Sequence, residues 1–127
     1  MDGNLKEHGW ELESAVAYHQ QYPDKFKIPS EEERTHLRVG DRVKLLFLLS
    51  GTDDSGPFLQ GERMWVTVHT VAGTDYTGVL ESLPESSNAL QPGDIVSFTA
   101  DHVAAIFVPK SDPRHPDHKP EQSPNRA

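Results

Sequence analysis

The sequence predicts an α+β protein that is mainly β. The expected architecture is a small, strongly bent antiparallel sheet or SH3-like half-open barrel of about five strands, with a short N-terminal helix. Short apolar or alternating segments recur between residues 43 and 108, separated by turns that contain Gly, Pro and Asp. Gly40-Asp41 and Gly93-Asp94 precede two of these segments in the same manner, which is typical of strand entries in SH3-like barrels. At 127 residues, the chain fits one domain.

Two helices are predicted before the strands. The segment Trp10–Tyr22 has apolar residues three and four positions apart, which indicates a short amphipathic helix that Pro23 ends. Ser30, followed three residues later by Glu33, matches a capping box and predicts a second short helix over Glu31–Leu37.

Five strands and one 3₁₀ turn follow. Glu62–Val71 is the clearest strand, because its apolar residues alternate with polar ones, with Met64, Val66 and Val68 on one face. A tight turn at Ala72–Asp75 makes it half of a hairpin. The other predicted elements are Val43–Leu49, Tyr76–Glu81, Ile95–Thr99, the 3₁₀ turn Asp101–Val103, and Ala105–Val108.

The remaining segments are predicted to lack regular structure. Ser50–Gly61 and Leu83–Leu90 are rich in turn residues and are expected to be surface loops, the first of them mobile. Phe58 and Leu59 either pack the first loop against the core or form an exposed contact. Residues 1–9 are expected to be a flexible N-terminus, residues 10–108 the β-rich domain, and residues 109–127 a disordered tail with no large apolar side chain.

Charge and composition exclude several classes of function. The net charge is −8, and residues 40–108 contain only three Lys/Arg against nine Asp/Glu. Such a domain would repel nucleic acid and anionic membranes, whereas a basic protein partner is compatible with it. No apolar run or signal pattern is visible, so we expect a cytoplasmic protein. The absence of cysteine excludes thiolate catalysis and zinc sites that use sulfur.

The residues that could carry chemistry do not form a known catalytic motif. We therefore expect no catalytic residues, although the sequence leaves enzymatic activity open. His115 and His118 have a metal-binding spacing but lie in the predicted tail, so no metal or cofactor is expected. His102, next to Asp101, could transfer protons, or it could be an ordinary hydrogen-bonded histidine, as could His69.

One strand face stands out as a candidate binding surface. Arg63, Trp65, Thr67 and His69 alternate with the apolar face of Glu62–Val71, and Arg and Trp are enriched at binding hot spots. Arg63 and Trp65 could stack or share a pocket. Alternatively, Trp65 completes the core or packs under the N-terminal helix, with Arg63 covering it.

Several segments of the chain resemble the bacterial domain-of-unknown-function family 2314. The resemblance runs over about residues 22–106, and its most specific element is the string Glu-Arg-Met-Trp-Val, residues 62–66. The chain departs from that family in its long loop before Glu62 and at Glu81-Ser82-Leu83, where an Asp/Asn-rich turn is commoner. The resemblance implies a bacterial, cytoplasmic protein with a small β-rich fold, and it implies no activity. The matching segments are Leu37–Leu45, Glu62–Val68, Gly78–Leu80 with Pro84, and Leu90–Phe98.

Two hypotheses about function follow from these residues. The first is a non-catalytic protein-binding module that uses the Arg63/Trp65 face, with an immunity-type role as one version. The second is a small-molecule or enzymatic site in a cleft between the sheet and the N-terminal helix, formed by Arg63, His69, Glu81 and His102. The domain could also act only as a subunit of a larger assembly, and the sequence does not fix its oligomeric state.

Overall fold

Six strands form one curled antiparallel sheet, which confirms the predicted mainly-β half-barrel. The structure is a computed structural model that describes residues 4–85 and 88–108. No helix in these two ranges is long and apolar enough to cross a bilayer. The helices are α1 (Leu5–His8), α2 (Ala15–Gln21) and α3 (Glu31–Arg34); the strands are β1 (Trp10–Leu12), β2 (Arg42–Asp53), β3 (Gly56–Ala72), β4 (Asp75–Leu80), β5 (Ile95–Thr99) and β6 (Val103–Ile106), and a 3₁₀ turn spans Ala100–His102.

The strand β2 organises the sheet, because it pairs with three other strands. Its whole length pairs with β3, while its other edge carries β6 near Val43 and β1 near Leu49. The chain then continues from β3 through β4 to β5, and the 3₁₀ turn carries it back to β6 beside β2. This return requires the sheet to curl. Irregularities between Lys44 and Leu45 and between Val68 and Thr70 are the kind of bulge that increases the bend.

The core fills the inner face of this curled sheet. Met64, Val66 and Val68 are all buried, as the alternation of β3 predicts, while the residues between them are more exposed. On β4, Gly78 is buried where the β3 and β5 side chains approach closely. Other fully buried large side chains in the described ranges are Trp10, Val43, Leu45, Phe47, Leu49, Leu80, Leu90, Val96 and Val103.

The predicted helix over Trp10–Tyr22 is wrong in its first part. Trp10–Leu12 is the strand β1, because the Trp10 ring is buried against Phe47, with ring centroids 5.8 Å apart, and its backbone pairs with β2. The helix α2 begins only after Ser14, whose side chain accepts a hydrogen bond from the Ala17 backbone N–H, and it ends at Gln21, one residue before the predicted end. A capped helical turn, α1, lies within the segment predicted to be flexible.

The predicted loop over Ser50–Gly61 is also wrong. The strands β2 and β3 continue through it as a two-stranded arm that turns between Asp53 and Gly56. The Phe58 ring lies against Gly51, where a side chain would collide with it, whereas Leu59 is 59% exposed. Phe58 therefore packs within the arm and not against the core, whereas Leu59 is exposed.

The remaining predictions need only small corrections or lie outside the described residues. The capping box of Ser30 and Glu33 is present, but α3 ends at Arg34 and is shorter than predicted. The strand β6 begins two residues earlier than predicted, and the 3₁₀ turn begins one residue earlier. The segment Leu83–Leu90 contains no helix or strand in its described part, while residues 86–87 and the predicted tail 109–127 lie outside the described residues.

Arg34 is the one buried charged residue in the described ranges. Its guanidinium donates to the backbone carbonyls of Pro29 at 3.0 Å and Ala100 at 3.1 Å. In turn, the Tyr76 hydroxyl donates to the Arg34 carbonyl at 3.0 Å. The bonds with Ala100 and Tyr76 attach α3 to the 3₁₀ turn and to β4, whereas the bond to Pro29 is local.

Replacing Gly78 by Ala should destabilise the fold. A Cβ at this position would overlap Val66 Cγ1 and approach the Thr67 carbonyl oxygen to 3.0 Å. We expect the free energy of unfolding to fall by about 1–3 kcal/mol, as for other overpacked cores. Urea denaturation measures this, with Gly61→Ala as the matched control, because the nearest atom to a Cβ there is 3.9 Å away. Equal stability of the two variants would contradict the close packing at Gly78.

Replacing Arg34 by Met should remove the bonds that hold α3. The substitution leaves the carbonyls of Pro29 and Ala100 without their donor, so we expect a loss of roughly 1–3 kcal/mol in the free energy of unfolding. Arg38→Met is the matched control at an exposed position, where a change of about 0.5 kcal/mol or less is expected. If both variants unfold at the same urea concentration, Arg34 does not stabilise the fold in this way.

Candidate binding surface on the outer face of the sheet

The predicted candidate residues of β3 lie on the outer face of the sheet, opposite the core. Arg63, Trp65 and Thr67 alternate with the buried residues of the strand. Their cross-strand neighbours on β2 are Leu46, Lys44 and Arg42, respectively. The outer face therefore brings together cationic and aromatic side chains from two strands.

Trp65 is surrounded by two cations and a second aromatic ring. The Arg42 guanidinium carbon lies 5.1 Å from the ring centroids of both Trp65 and Phe107. The Lys44 Nζ atom lies 4.8 Å from the Trp65 ring centroid, and the Phe107 ring meets Trp65 edge-on at 6.2 Å. The distances from the two cations to the rings, 5.1 Å and 4.8 Å, are within the range of cation–π attraction. We call this surface, formed by Arg42, Lys44, Trp65 and Phe107, the Trp65 patch.

The predicted stacking of Arg63 on Trp65 is wrong. The Arg63 guanidinium carbon lies instead 5.2 Å from the ring centroid of Phe26, in the segment that follows α2. Nor does Trp65 belong to the core, because it is only partly buried on the outer face. The cations beside Trp65 come from β2.

Thr67 and Glu81 anchor one side of the Trp65 patch. The Glu81 carboxylate accepts hydrogen bonds from Arg42 Nε at 3.1 Å and from the Thr67 hydroxyl, and its Oε1 atom lies 3.0 Å from Arg42 Nη2. This ion pair holds the Arg42 guanidinium in place beside the two rings. Thr67 and Glu81 therefore position Arg42 and are not free for a ligand.

Charge is segregated on this face of the sheet. The three Lys/Arg residues among residues 40–108, namely Arg42, Lys44 and Arg63, all lie on it. In the described part of the chain, neither Lys44 nor Arg63 forms an ion pair with a carboxylate. An otherwise acidic domain therefore presents two positive charges without a carboxylate partner in the described ranges, with Lys44 beside Trp65 and Arg63 beside Phe26.

His69 and His102 lie away from the Trp65 patch. His69 is exposed at the irregularity between Val68 and Thr70 and has no residue opposite it on β4. His102 lines a separate cleft of about 620 Å³, which Glu11 and Asp75 also line. Its Nδ1 atom accepts a hydrogen bond from the Thr99 backbone N–H at 3.0 Å, so His102 stabilises the 3₁₀ turn as an ordinary hydrogen-bonded residue.

The four residues proposed for a small-molecule site do not converge. Arg63 contacts Phe26, Glu81 pairs with Arg42, and His102 lines another cleft. They therefore cannot form the predicted site together.

The predicted cleft between the sheet and the N-terminal helix does exist, but of its four predicted residues only Arg63 lines it. It is a groove of about 410 Å³ lined by Tyr18, Tyr22, Phe26 and Arg63, among others. The sequence carried a signal for it, because the three aromatic residues are spaced four positions apart. The sequence carried no such signal for Arg42 and Lys44 as members of the Trp65 patch, because only the pairing of β2 with β3 brings them to Trp65.

Comparison with known proteins identifies no family for the chain and no role for these surfaces. No family model matches the chain, and no solved structure matches it significantly. The resemblance to family 2314 therefore stays a prediction. In residues 4–85 and 88–108, no three His, Asp or Glu side chains are arranged to hold a metal ion.

The stability of the fold should depend on the protonation of His102. Burial lowers the pKa of His102, and the Asp101 carboxylate offsets only part of this effect. The folded state thus favours the neutral ring of His102. The stability that the fold gains from this preference is present above about pH 6.5 and is lost as the pH falls through the lower pKa of the folded protein.

The free energy of unfolding in urea, measured at about pH 8 and about pH 5, tests this dependence. Between about pH 8 and about pH 5, we expect the free energy of unfolding to fall more for the native chain than for His102→Gln, because glutamine cannot titrate. The same loss in both proteins would show that His102 does not cause it.

Proposed function

We propose that this protein is a non-catalytic protein-binding module whose Trp65 patch contacts an acidic segment of a partner protein. The observation that carries the proposal is the clustering of cations beside the aromatic pair. The three basic residues of residues 40–108 share one sheet face with Trp65, whereas the nine acidic residues of this segment give the domain its negative charge.

The side chains of the patch suit a protein surface. Trp and Arg dominate binding hot spots because they offer large apolar area together with directional polar groups. Phe107 is 44% exposed, so an apolar side chain of the partner has a surface to pack on. Lys44 supplies an unpaired charge next to it, which a carboxylate of the partner would neutralise.

A purely structural role for the same residues is the alternative. The contacts among Arg42, Trp65 and Phe107 attach the end of β6 to β2 and β3, and this attachment alone would stabilise the fold. It does not account for the charge of Lys44, which has no carboxylate partner in the described ranges. This charge favours the binding role.

The proposal extends to the wider identity of the chain. A bacterial, cytoplasmic member of family 2314 is supported by the Glu62–Val68 string, and an SH3-like barrel by the return of the chain from β5 through a 3₁₀ turn to β2. An immunity-type role is one version of the module. It would require a toxin that presents acidic and apolar groups to the Trp65 patch.

Affinity capture from a bacterial lysate, with the partner identified by mass spectrometry, tests the proposed surface. We expect Lys44→Glu and Trp65→Ala each to lose the partner, because the first reverses the attracting charge and the second removes the apolar contact. Lys27→Glu is the matched control, since it makes the same charge change at an exposed position outside the patch.

Circular dichroism must first show that the three variants are folded. The binding proposal is wrong if Lys44→Glu and Trp65→Ala retain the same partners, in the same amounts, as the native chain and Lys27→Glu. Weaker capture at higher salt concentration would further support a charged interface.

A further inference from the structure

The groove between α2 and the sheet has the shape and chemistry of a peptide-binding site. Its volume is about 410 Å³. Tyr18 and Phe26 form one wall, with ring centroids 5.5 Å apart, and Tyr22 beside them is 47% exposed. Gly61 lines the opposite side and leaves space where other residues of β3 carry side chains. The result is an open, aromatic-lined channel on the surface.

Aromatic-lined grooves bind proline-rich segments in the polyproline II conformation. Such a segment loses little conformational freedom on binding, because its prolines already fix the backbone. Tyrosine suits this contact, since its ring packs on proline while its hydroxyl stays hydrogen-bonded. In this groove, the Tyr18 hydroxyl donates to the Glu13 carboxylate at 3.3 Å, which holds the ring in place.

The chain itself carries a segment of this composition. Residues 109–127 contain five prolines, and Pro113 and Pro116 have the spacing of one polyproline II turn. Asp112 and Asp117 flank this pair. The groove carries charges of both signs, because Glu13 and Glu62 line it together with Lys25 and Arg63. A segment that contains Asp112, Arg114 and Asp117 also carries both signs, so each of its charges can pair with an opposite charge of the groove.

The segment is long enough to reach the groove. The described chain ends at Val108, next to Phe107, whose N–H donates to the Arg42 carbonyl at 2.9 Å. From Arg42 to Leu46, which lines the groove, β2 covers about 13 Å at roughly 3.3 Å per residue. The eight residues from Val108 to Pro116 span about 25 Å in polyproline II conformation, which is sufficient for the chain to turn back along β2.

We propose that the segment Asp112–Asp117 of this chain docks in the groove between α2 and the sheet, with Pro113 and Pro116 on the aromatic wall and the two carboxylates near Lys25 and Arg63. This contact is separate from the partner surface, because Trp65 and Lys44 do not line the groove. If the segment does not dock in the groove, partner binding by the Trp65 patch is unaffected. If the Trp65 patch binds no partner, the docking of the segment is unaffected.

A spin label on the C-terminal segment tests the proposal in the full chain. The protein has no cysteine, so His118→Cys gives one labelling position just beyond Pro116. We expect a selective loss of the backbone amide NMR signals of Tyr22, Lys25 and Gly61 in the paramagnetic sample. The signals of Thr77 and Ser97, which line the other cleft, should persist.

Two variants should restore the lost signals. Gly61→Val fills the groove without backbone strain, because a Cβ at Gly61 has its nearest neighbour at 3.9 Å. Gln60→Val is its matched control on the adjacent residue and should keep the loss. Pro113→Ala with Pro116→Ala removes the prolines without altering the domain, and Pro120→Ala with Pro124→Ala is the control within the same segment.

Three outcomes would overturn the proposal. The first is a loss of signal that is spread evenly over the surface of the domain. The second is a selective loss that persists in both Gly61→Val and the Pro113/Pro116 variant. The third is a loss seen only when spin-labelled chain is mixed with a separate isotope-labelled chain, because the contact would then join two molecules.

Discussion

The pairing of β2 with three strands is the constraint on which the rest of the molecule depends. One edge of β2 is covered by β3 and the other by β6 and β1, so none of these three strands can be displaced without exposing an edge of β2. The inner residues of β2, such as Leu45, form the core, while Lys44 on the outer face lies beside Trp65. A slip of one residue in the register would exchange these two side chains between the core and the surface.

The outer face of the same strand explains why the groove and the Trp65 patch are neighbours. Leu46 is buried there with Ala15 of α2 and Ala104 of β6, so the helix covers one end of this face. At the other end, Arg42 and Lys44 lie beside Trp65 and Phe107, and no helix among the described residues covers them. The edge of the covered part forms the groove, and the uncovered part forms the patch. Burial by a single short helix therefore separates an aromatic channel from a cationic surface.

The sequence predicted those features that a single strand or helix terminus determines locally. The alternation of β3 identified its buried residues because one face of that strand contacts the core, and the pair Ser30 and Glu33 identified the start of α3. The arm over 50–61 was missed because its residues are largely exposed, so that its composition matches that of a loop. The candidate site was only partly predicted: Trp65 was identified, but its cations come from β2, and cross-strand register cannot be read from local sequence.

The return of β6 to β2 also determines the order in which the fold can assemble. The β2–β3 hairpin closes through a turn of two residues, whereas Lys44 pairs with Ala105, sixty-one positions later in the chain. Closing a loop of that length is entropically costly and slow compared with hairpin formation. We therefore expect the sheet to form outward from the arm towards β5 before β6 pairs with β2. Until β6 pairs, one edge of β2 has unpaired backbone groups near Val43 and Leu45, and unpaired edges of this kind favour aggregation.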